Sequence, residues 1–385
     1  MDLEKDYGFK NSTQKIESLM FRDIYYKKLT NAAASILRTP PYIILFVSDE
    51  CWMSCDHCWY TKSEYKKSKA NNLTFDEFKN ISESINSIRF LSITGGEAFL
   101  RDDLLEIIKV FMANSGVKRF DIPSSGWDTD LIVAKTEKIL DSIDEQTPFR
   151  VDISIDGVGD VHDSIRNKKG AFDNAKKTLI ELKKISDKRP NFSLSAITTV
   201  SNKNQNNIDE IAKFVNDTIP DGEWLVNATR GESSCATAKE FSIESYDKAC
   251  ELQRKHLQKM SEYYSVNKNL RKWLSAKNIV RGKIIRETIL GQSIGGACAA
   301  GSLIGVIFND GAVAPCENLQ DSFGNIRDYY YSLPAIWNTD RAVEFRNKIQ
   351  ETHCKCTHEC VISMSVLMRP GAIGRLLLER ARLKD

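Results

Sequence analysis

The chain has 385 residues, 42% of them hydrophobic, which is enough for a large core, and its 54 basic and 52 acidic residues leave a formal charge of +2. That balance, with no basic stripe interleaved with aromatics, argues against nucleic acid as a partner. No run of 18 apolar residues occurs, and Met1-Asp2-Leu3-Glu4-Lys5-Asp6 lacks the basic head and apolar core of a signal peptide, so a soluble, cytoplasmic setting is expected.

Residues 1–40 read as a helical extension. From residue 42 to about 230, short β-rich runs alternate with amphipathic stretches, the pattern of repeated βα units around a parallel sheet. Six strands are expected: Tyr42–Val47, Phe90–Thr94, Lys118–Ile122, Arg150–Ile155, Phe192–Val200 and Glu223–Asn227. The helix after the first strand opens with the capping box Thr74-Phe75-Asp76-Glu77 and lines Phe75, Phe78, Ile81, Ile85 and Ile88 along one face. Later helices carry similar core stripes, such as Phe172, Ala175, Leu179 and Leu182. The polar motifs fall after the strands, at the barrel end where βα loops build sites.

The first of these motifs is Cys51-x3-Cys55-x2-Cys58, directly after the first strand. Ten cysteines in a reducing compartment point to metal ligation rather than disulfides. Three thiolates on one short loop can hold three irons of a [4Fe–4S] cube and leave the fourth open to a small chelator. Structural zinc takes four ligands and fits only if His57 or a remote residue completes the set. After the second strand comes Gly95-Gly96-Glu97, where the glycines permit a close backbone approach to a ligand and the carboxylate can bind an ammonium group.

These segments together resemble the radical S-adenosylmethionine (radical SAM) family over roughly residues 42–362. The resemblance implies a partial (β/α)6 TIM-like barrel, an α/β fold, occupying 41–235. It implies that SAM chelates the open iron, that Gly95, Gly96 and Glu97 hold its amine, and that Ser124 and Ser154 contact it. Asp156 is expected to bind SAM or substrate. A reduced cluster then cleaves SAM to a 5'-deoxyadenosyl radical that takes a substrate hydrogen atom, with flavodoxin or ferredoxin as electron donor. His162-Asp163-Ser164-Ile165-Arg166 and Thr199-Val200-Ser201-Asn202 also look familial, as contacts or as loop-ordering segments.

Residues 236–290 read as a helical linker, with Tyr246, Cys250, Leu257, Met260 and Tyr264 along one face and Cys250 as a buried thiol. Then come Cys298, a β-hairpin turning at Asn309-Asp310-Gly311 and ending in Cys316, and the group Cys354, Cys356 and Cys360. Residues 291–365 resemble the auxiliary-cluster extension called SPASM, or its shorter form Twitch. Five cysteines imply one auxiliary [4Fe–4S] cluster. The spacing does not decide which four bind, although Cys298, Cys316 and Cys360 fit the family pattern best, and zinc held by the late cysteines with His353 or His358 is the competing reading.

The expected function is oxidation, epimerisation or cross-linking of a peptide or sugar-type substrate, and the alternative is a noncatalytic iron–sulfur protein for electron transfer or sensing. About 40 residues before the first strand are few for a fused leader-peptide recognition domain. After the sixth strand, Arg230 is a candidate for a substrate carboxylate or phosphate, and Cys235 for donating a hydrogen atom to a substrate radical. Lys66-Lys67 and Lys168-Lys169 read as solvated surface. Residues 366–385 form a basic amphipathic helix expected to pack on the protein, with membrane contact the less favoured reading.

Overall fold

A computed structural model describes residues 12–60, 71–263, 268–293, 297–319 and 321–383. Lys66, Lys67 and Tyr264 lie outside them. Helix α1 (Ser12–Leu37) precedes six βα repeats: β1 (Tyr42–Ser48), α2 (Phe75–Glu83), β2 (Phe90–Gly95), α3 (Leu104–Ser115), β3 (Phe120–Ser124), α4 (Thr129–Leu140), β4 (Phe149–Ser154), α5 (Asp160–Arg166), α6 (Ala171–Ser186), β5 (Phe192–Val200), α7 (Ile208–Thr218) and β6 (Glu223–Ala228). Two long helices follow, α8 (Ile243–Tyr263) and α9 (Lys268–Ile289). The last part holds β7 (Ile304–Ile307), β8 (Ala312–Ala314), β9 (Gly324–Asn325), α10 (Leu333–Trp337), α11 (Asp340–Glu351), α12 (Glu359–Ser365) and α13 (Pro370–Arg382).

The described strands form one sheet in the order β6-β5-β4-β3-β2-β1-β7-β8-β9, parallel from β6 to β7. The expected hairpin is β7–β8, antiparallel, with Gly311 at φ +88° in its turn. What the sequence does not suggest is that β7 also pairs in parallel with β1, Tyr42 opposite Ile304 and Leu45 opposite Ile307. The cysteine-rich region therefore continues the barrel sheet. All of β1 is buried because each face is covered: Ile43, Leu45 and Val47 pack towards the outer helices with Phe78 and Ile81, while Tyr42, Ile44 and Phe46 pack with Val306, Phe308 and Val361.

Local chemistry sets the element ends. Thr74 Oγ1 accepts from Glu77 N at 3.3 Å and Glu77 Oε2 accepts from Thr74 N at 2.8 Å, the expected capping box opening α2. Gly116, at φ +53°, closes α3. Strand β3 runs two residues later than the pattern suggests, because its pairing with β2 ends at Asp121 and so Pro123, which has no N–H, breaks no ladder there. The barrel interior at the strand starts is polar: Arg150 on β4 reaches Asp121 at 2.9 Å, Asp152 at 2.6 Å and Glu223 at 2.8 Å.

Candidate active site

The C-terminal ends of β1 and β2 lock together, and the glycine pair is what allows it. Gly96 N donates to Ser48 O at 2.9 Å and Glu97 N to Glu50 O at 2.6 Å. A Cβ on Gly95 would lie 2.1 Å from Ser48 O, and one on Gly96 2.1 Å from Glu50 O. The close approach seen here is to the backbone leading into Cys51.

Glu97 is held within electrostatic range of Cys51 by this lock and is 1% exposed. Its Oε2 accepts from Ser124 Oγ at 3.1 Å, Ser125 N at 2.9 Å and Ser125 Oγ at 2.8 Å. Ser125 is the member of this cradle that motif reasoning missed. Burial pushes the carboxyl up, and the Ser125 and Ser124 donors pull it back towards the ionised form. The other oxygen, Oε1, is buried with no hydrogen-bond partner among the described residues. A carboxylate so placed is costly unless a cation completes it, so the cradle fits an ammonium group.

Around the triplet, Cys51 is exposed and its Sγ accepts from Met53 N at 3.4 Å, Cys55 is buried, and Cys58 is half-buried. Burial pushes the Cys55 thiol up and the Arg166 guanidinium pulls it down. Arg166 donates from Nη1 to Cys55 Sγ at 3.4 Å and pairs through Nη2 with Asp156. Asp156 is fully buried, takes Thr199 N at 2.7 Å, and its own N–H donates to His162 Nδ1 at 3.1 Å. Its carboxylate is therefore committed to protein groups. His57 lies 3.7 Å from Asp156, and burial holds its imidazole down at about 4. The segments around His162 and Thr199 order the loops: Asn204 Nδ2 donates to Asp156 O and Thr199 O, both at 2.9 Å. Lys168 is less solvated than expected, donating to Trp52 O at 3.1 Å with its ammonium 4.0 Å from the Trp127 ring centre. Ser154 is half-buried at the end of β4.

The loop after β6 is strapped to the same cysteine segment. Ser234 N and Oγ both donate to Cys58 O at 3.0 Å, and Cys235 N to Asp56 O at 2.8 Å, which leaves the half-buried Cys235 thiol 3.2 Å from Thr237 Oγ1. Arg230 is not available to a substrate in the way the sequence suggests. Its guanidinium holds Glu359 at 2.7 Å and Glu317 at 2.9 Å, and Glu317 also pairs with His358.

Four of the five late cysteines, Cys298, Cys316, Cys354 and Cys356, come within electrostatic range of one another. Cys298, Cys354 and Cys356 line one small cavity with Arg369. Cys360 packs in the same core cluster as Cys298, Cys316 and Cys354 and is hydrogen-bonded to the Tyr42 hydroxyl on β1. Among the described residues no three cysteine, histidine, aspartate or glutamate side chains close on a single ion. A cluster takes its thiolates at separate corners, and these two cysteine groups fit that donor type. Cys250 is a half-buried thiol bonded to Tyr246 in a groove between α8 and α9.

The sequence profile of the radical SAM superfamily matches residues 45–215, and that of an iron–sulfur cluster-binding domain, SPASM, matches residues 298–361. The chain belongs to the radical SAM superfamily. This radical SAM enzyme carries a C-terminal SPASM-type region, and its chemistry is SAM cleavage with radical generation. It is similar to the sporulation killing factor maturation protein SkfB of Bacillus subtilis (strain 168), 22% identical over 321 residues, which are 83% of this chain and 69% of that protein. It spans under half of the other curated relatives it matches. Its fold is similar to native anSMEcpe with bound AdoMet and Cp18Cys peptide, with a TM-score of 0.54, 15% identity, and 90% of this chain and 100% of that one covered. It is also similar to Streptococcus suis SuiB bound to precursor peptide SuiA, with a TM-score of 0.52, 12% identity, and 90% and 74% covered.

Proposed function

We propose that this radical SAM enzyme holds a [4Fe–4S] cluster through Cys51, Cys55 and Cys58 and abstracts a hydrogen atom from a peptide, leading to oxidation, epimerisation or cross-linking. The observation that carries the reading is the half-satisfied Glu97 beside the cysteine loop, with one oxygen fixed by Ser124 and Ser125 and the other buried without a partner. Glu97 Oε1 takes the methionine ammonium of SAM, and Gly95 and Gly96 fix the backbone beneath it. Ser124 Oγ holds the Glu97 carboxylate in place, and Ser154, at the end of the neighbouring strand, lines the same mouth. Asp156 acts through Arg166, which it orients against Cys55.

A cluster held by Cys51, Cys55 and Cys58 would supply the electron for reductive cleavage of SAM to methionine and a 5'-deoxyadenosyl radical, and one held by the late cysteines would take up the electron lost in substrate oxidation. A low-potential carrier such as flavodoxin or ferredoxin recharges the system. Cys298, Cys316, Cys354 and Cys356 supply the four thiolates that close an auxiliary [4Fe–4S] cube, with Cys360 left to Tyr42. Cys235, strapped beside the triplet, is the candidate hydrogen-atom donor. A peptide is favoured over a sugar-type substrate because SkfB is by name a maturation protein for a killing factor and both structural relatives are described with peptides.

The test is anaerobic: protein with reconstituted clusters, reduced and mixed with SAM, followed by chromatography of the nucleoside products. The expected product is 5'-deoxyadenosine, lost when Cys51, Cys55 and Cys58 are all changed to alanine. Intact cluster spectra with no 5'-deoxyadenosine from the unaltered chain would leave the noncatalytic iron–sulfur reading standing.

A further inference from the structure

We propose that Asn309, in the turn between β7 and β8, is a positioning residue for the Cys51–Cys58 loop, whose neck it closes through a chain of side-chain hydrogen bonds. The proposal rests on the reading that this loop holds a [4Fe–4S] cluster. It adds that the SPASM-type region shapes the loop directly, through one fully buried amide.

The chain has four members. Asn72 Nδ2 donates to Asp49 Oδ1 at 2.9 Å, Asn309 Nδ2 donates to Asn72 Oδ1 at 2.6 Å, and the Tyr60 hydroxyl donates to Asn309 Oδ1. Asp49 stands two residues before Cys51 and Tyr60 two residues after Cys58, so the bonds bridge both ends of the cysteine loop across its base. The main chain adds a tie, because Asn309 O accepts from Leu73 N at 2.6 Å. Polarity fixes every step. A carboxylate only accepts, which turns the Asn72 nitrogen towards Asp49 and leaves the Asn72 oxygen for a donor. The Asn309 nitrogen fills that place, and its oxygen is then free to accept from Tyr60. Neither a carboxylate nor an apolar side chain at position 309 can serve both neighbours.

The presenting turn and the receiving tyrosine are both rigidly held. Tyr60 is buried, its ring centre 5.0 Å from that of Phe46, and Phe46 also packs on Phe308, the residue before Asn309, at 4.8 Å. Asp310 O accepts from Asn325 Nδ2 and Arg327 Nη1, both at 2.8 Å, and Asp310 Oδ1 accepts from Ala312 N at 3.1 Å. The amide therefore offers its donor and its acceptor from a fixed base. A loop whose ends are fixed has fewer conformations in which its three thiolates point apart, so less order is left to be imposed when irons bind. Loss of the amide would also leave the buried Tyr60 hydroxyl without this acceptor.

The experiment follows iron loss from the full chain after anaerobic reconstitution and reduction. The cluster of the Cys51–Cys58 loop is identified as the one whose EPR signal changes when SAM is added. In excess iron chelator, the Asn309→Leu protein should lose that signal about tenfold faster than the parent, while any iron held by the late cysteines leaves at the parent rate. Tyr60→Phe, which removes one link and keeps the ring, should fall between the two, and it decides alone should Asn309→Leu fail to fold. Equal decay in parent and variants, or a matched acceleration of both pools of iron, overturns the positioning role and leaves the cluster reading standing. An unaltered chain with no SAM-responsive signal overturns that reading, and the role of Asn309 falls with it.

Discussion

Arg166 donates to Cys55 Sγ at 3.4 Å while Asp156, fully buried, grips its other terminal nitrogen. If Cys55 ligates the proposed N-terminal cluster, a guanidinium fixed on its sulfur stabilises added negative charge there, so the Arg166→Gln protein should have a more negative midpoint potential for that cluster. Asp156→Asn should shift it the same way but less, by loosening the arginine. Redox titration followed by EPR reads both, and an unmoved potential in both would reduce Arg166 to a packing role.

Glu97→Gln keeps the shape of the cradle but removes the charge opposite an ammonium. A hydrogen bond to a charged group contributes about 1.5–3 kcal/mol, so SAM affinity should fall by roughly ten- to a hundredfold. Equilibrium binding to the reconstituted, unreduced protein separates this from any effect on turnover. Affinity unchanged within about twofold would place the ammonium elsewhere.

Arg230 ties the end of β6 to the SPASM-type region through Glu317 and Glu359, which are 8% and 4% exposed. Removing it leaves Glu317 with His358 and Glu359 with the Ala228 N–H but no cation, and breaking such a buried pair costs about 3–5 kcal/mol. Arg230→Met should lose about that much in urea unfolding, with Arg230→Lys between it and the parent. A loss below about 1 kcal/mol would mean that water replaces the guanidinium with little penalty.

Glu77 both caps α2 and clasps Arg327 at 2.5 Å. Burial pushes its carboxyl up, but Arg327 and the Thr74 N–H overcome that and bring it from the ordinary 4.5 to about 2. With the folded value depressed, the stabilisation is fully present above pH 4.5 and is lost as pH falls through about 2. Parent and Glu77→Gln proteins should differ most near neutral pH and converge across that acid window. A stability gap that stays constant down to pH 2 would contradict this linkage.

Cys235 has its thiol against Thr237 Oγ1 and its backbone bound to Asp56 O. If its sulfur returns a hydrogen atom to the substrate radical, Cys235→Ala should still form 5'-deoxyadenosine but lose solvent deuterium incorporation into product in D2O. Undiminished incorporation would remove it from the chemistry.

The barrel and its mouth were legible because their signals are local. The continuous apolar run of Tyr42–Val47, the capping box at Thr74 and the Cys51–Cys58 spacing each lie within one element and its following loop. What escaped depends on partners distant in sequence. Pairing of Tyr42 with Ile304 leaves no trace in either segment alone. A lone loop arginine such as Arg230 looks available until Glu317 and Glu359 arrive from the far end of the chain, and the hydrogen bond of Cys360 to Tyr42 follows from the fold rather than from cysteine spacing. The glycine pair was found for its freedom, but the space it vacates is filled by Ser48 and Glu50.

The parallel join between β1 and β7 bears on anyone wishing to trim or transplant the SPASM-type half of this molecule. Cutting before residue 291 would strip the hydrogen-bonding rim from the strand that leads into Cys51 and leave Tyr42, Ile44 and Phe46 without their cover, an open invitation to aggregation. Grafts between relatives should therefore exchange β1 together with β7, as a matched pair, rather than cut at the apparent linker.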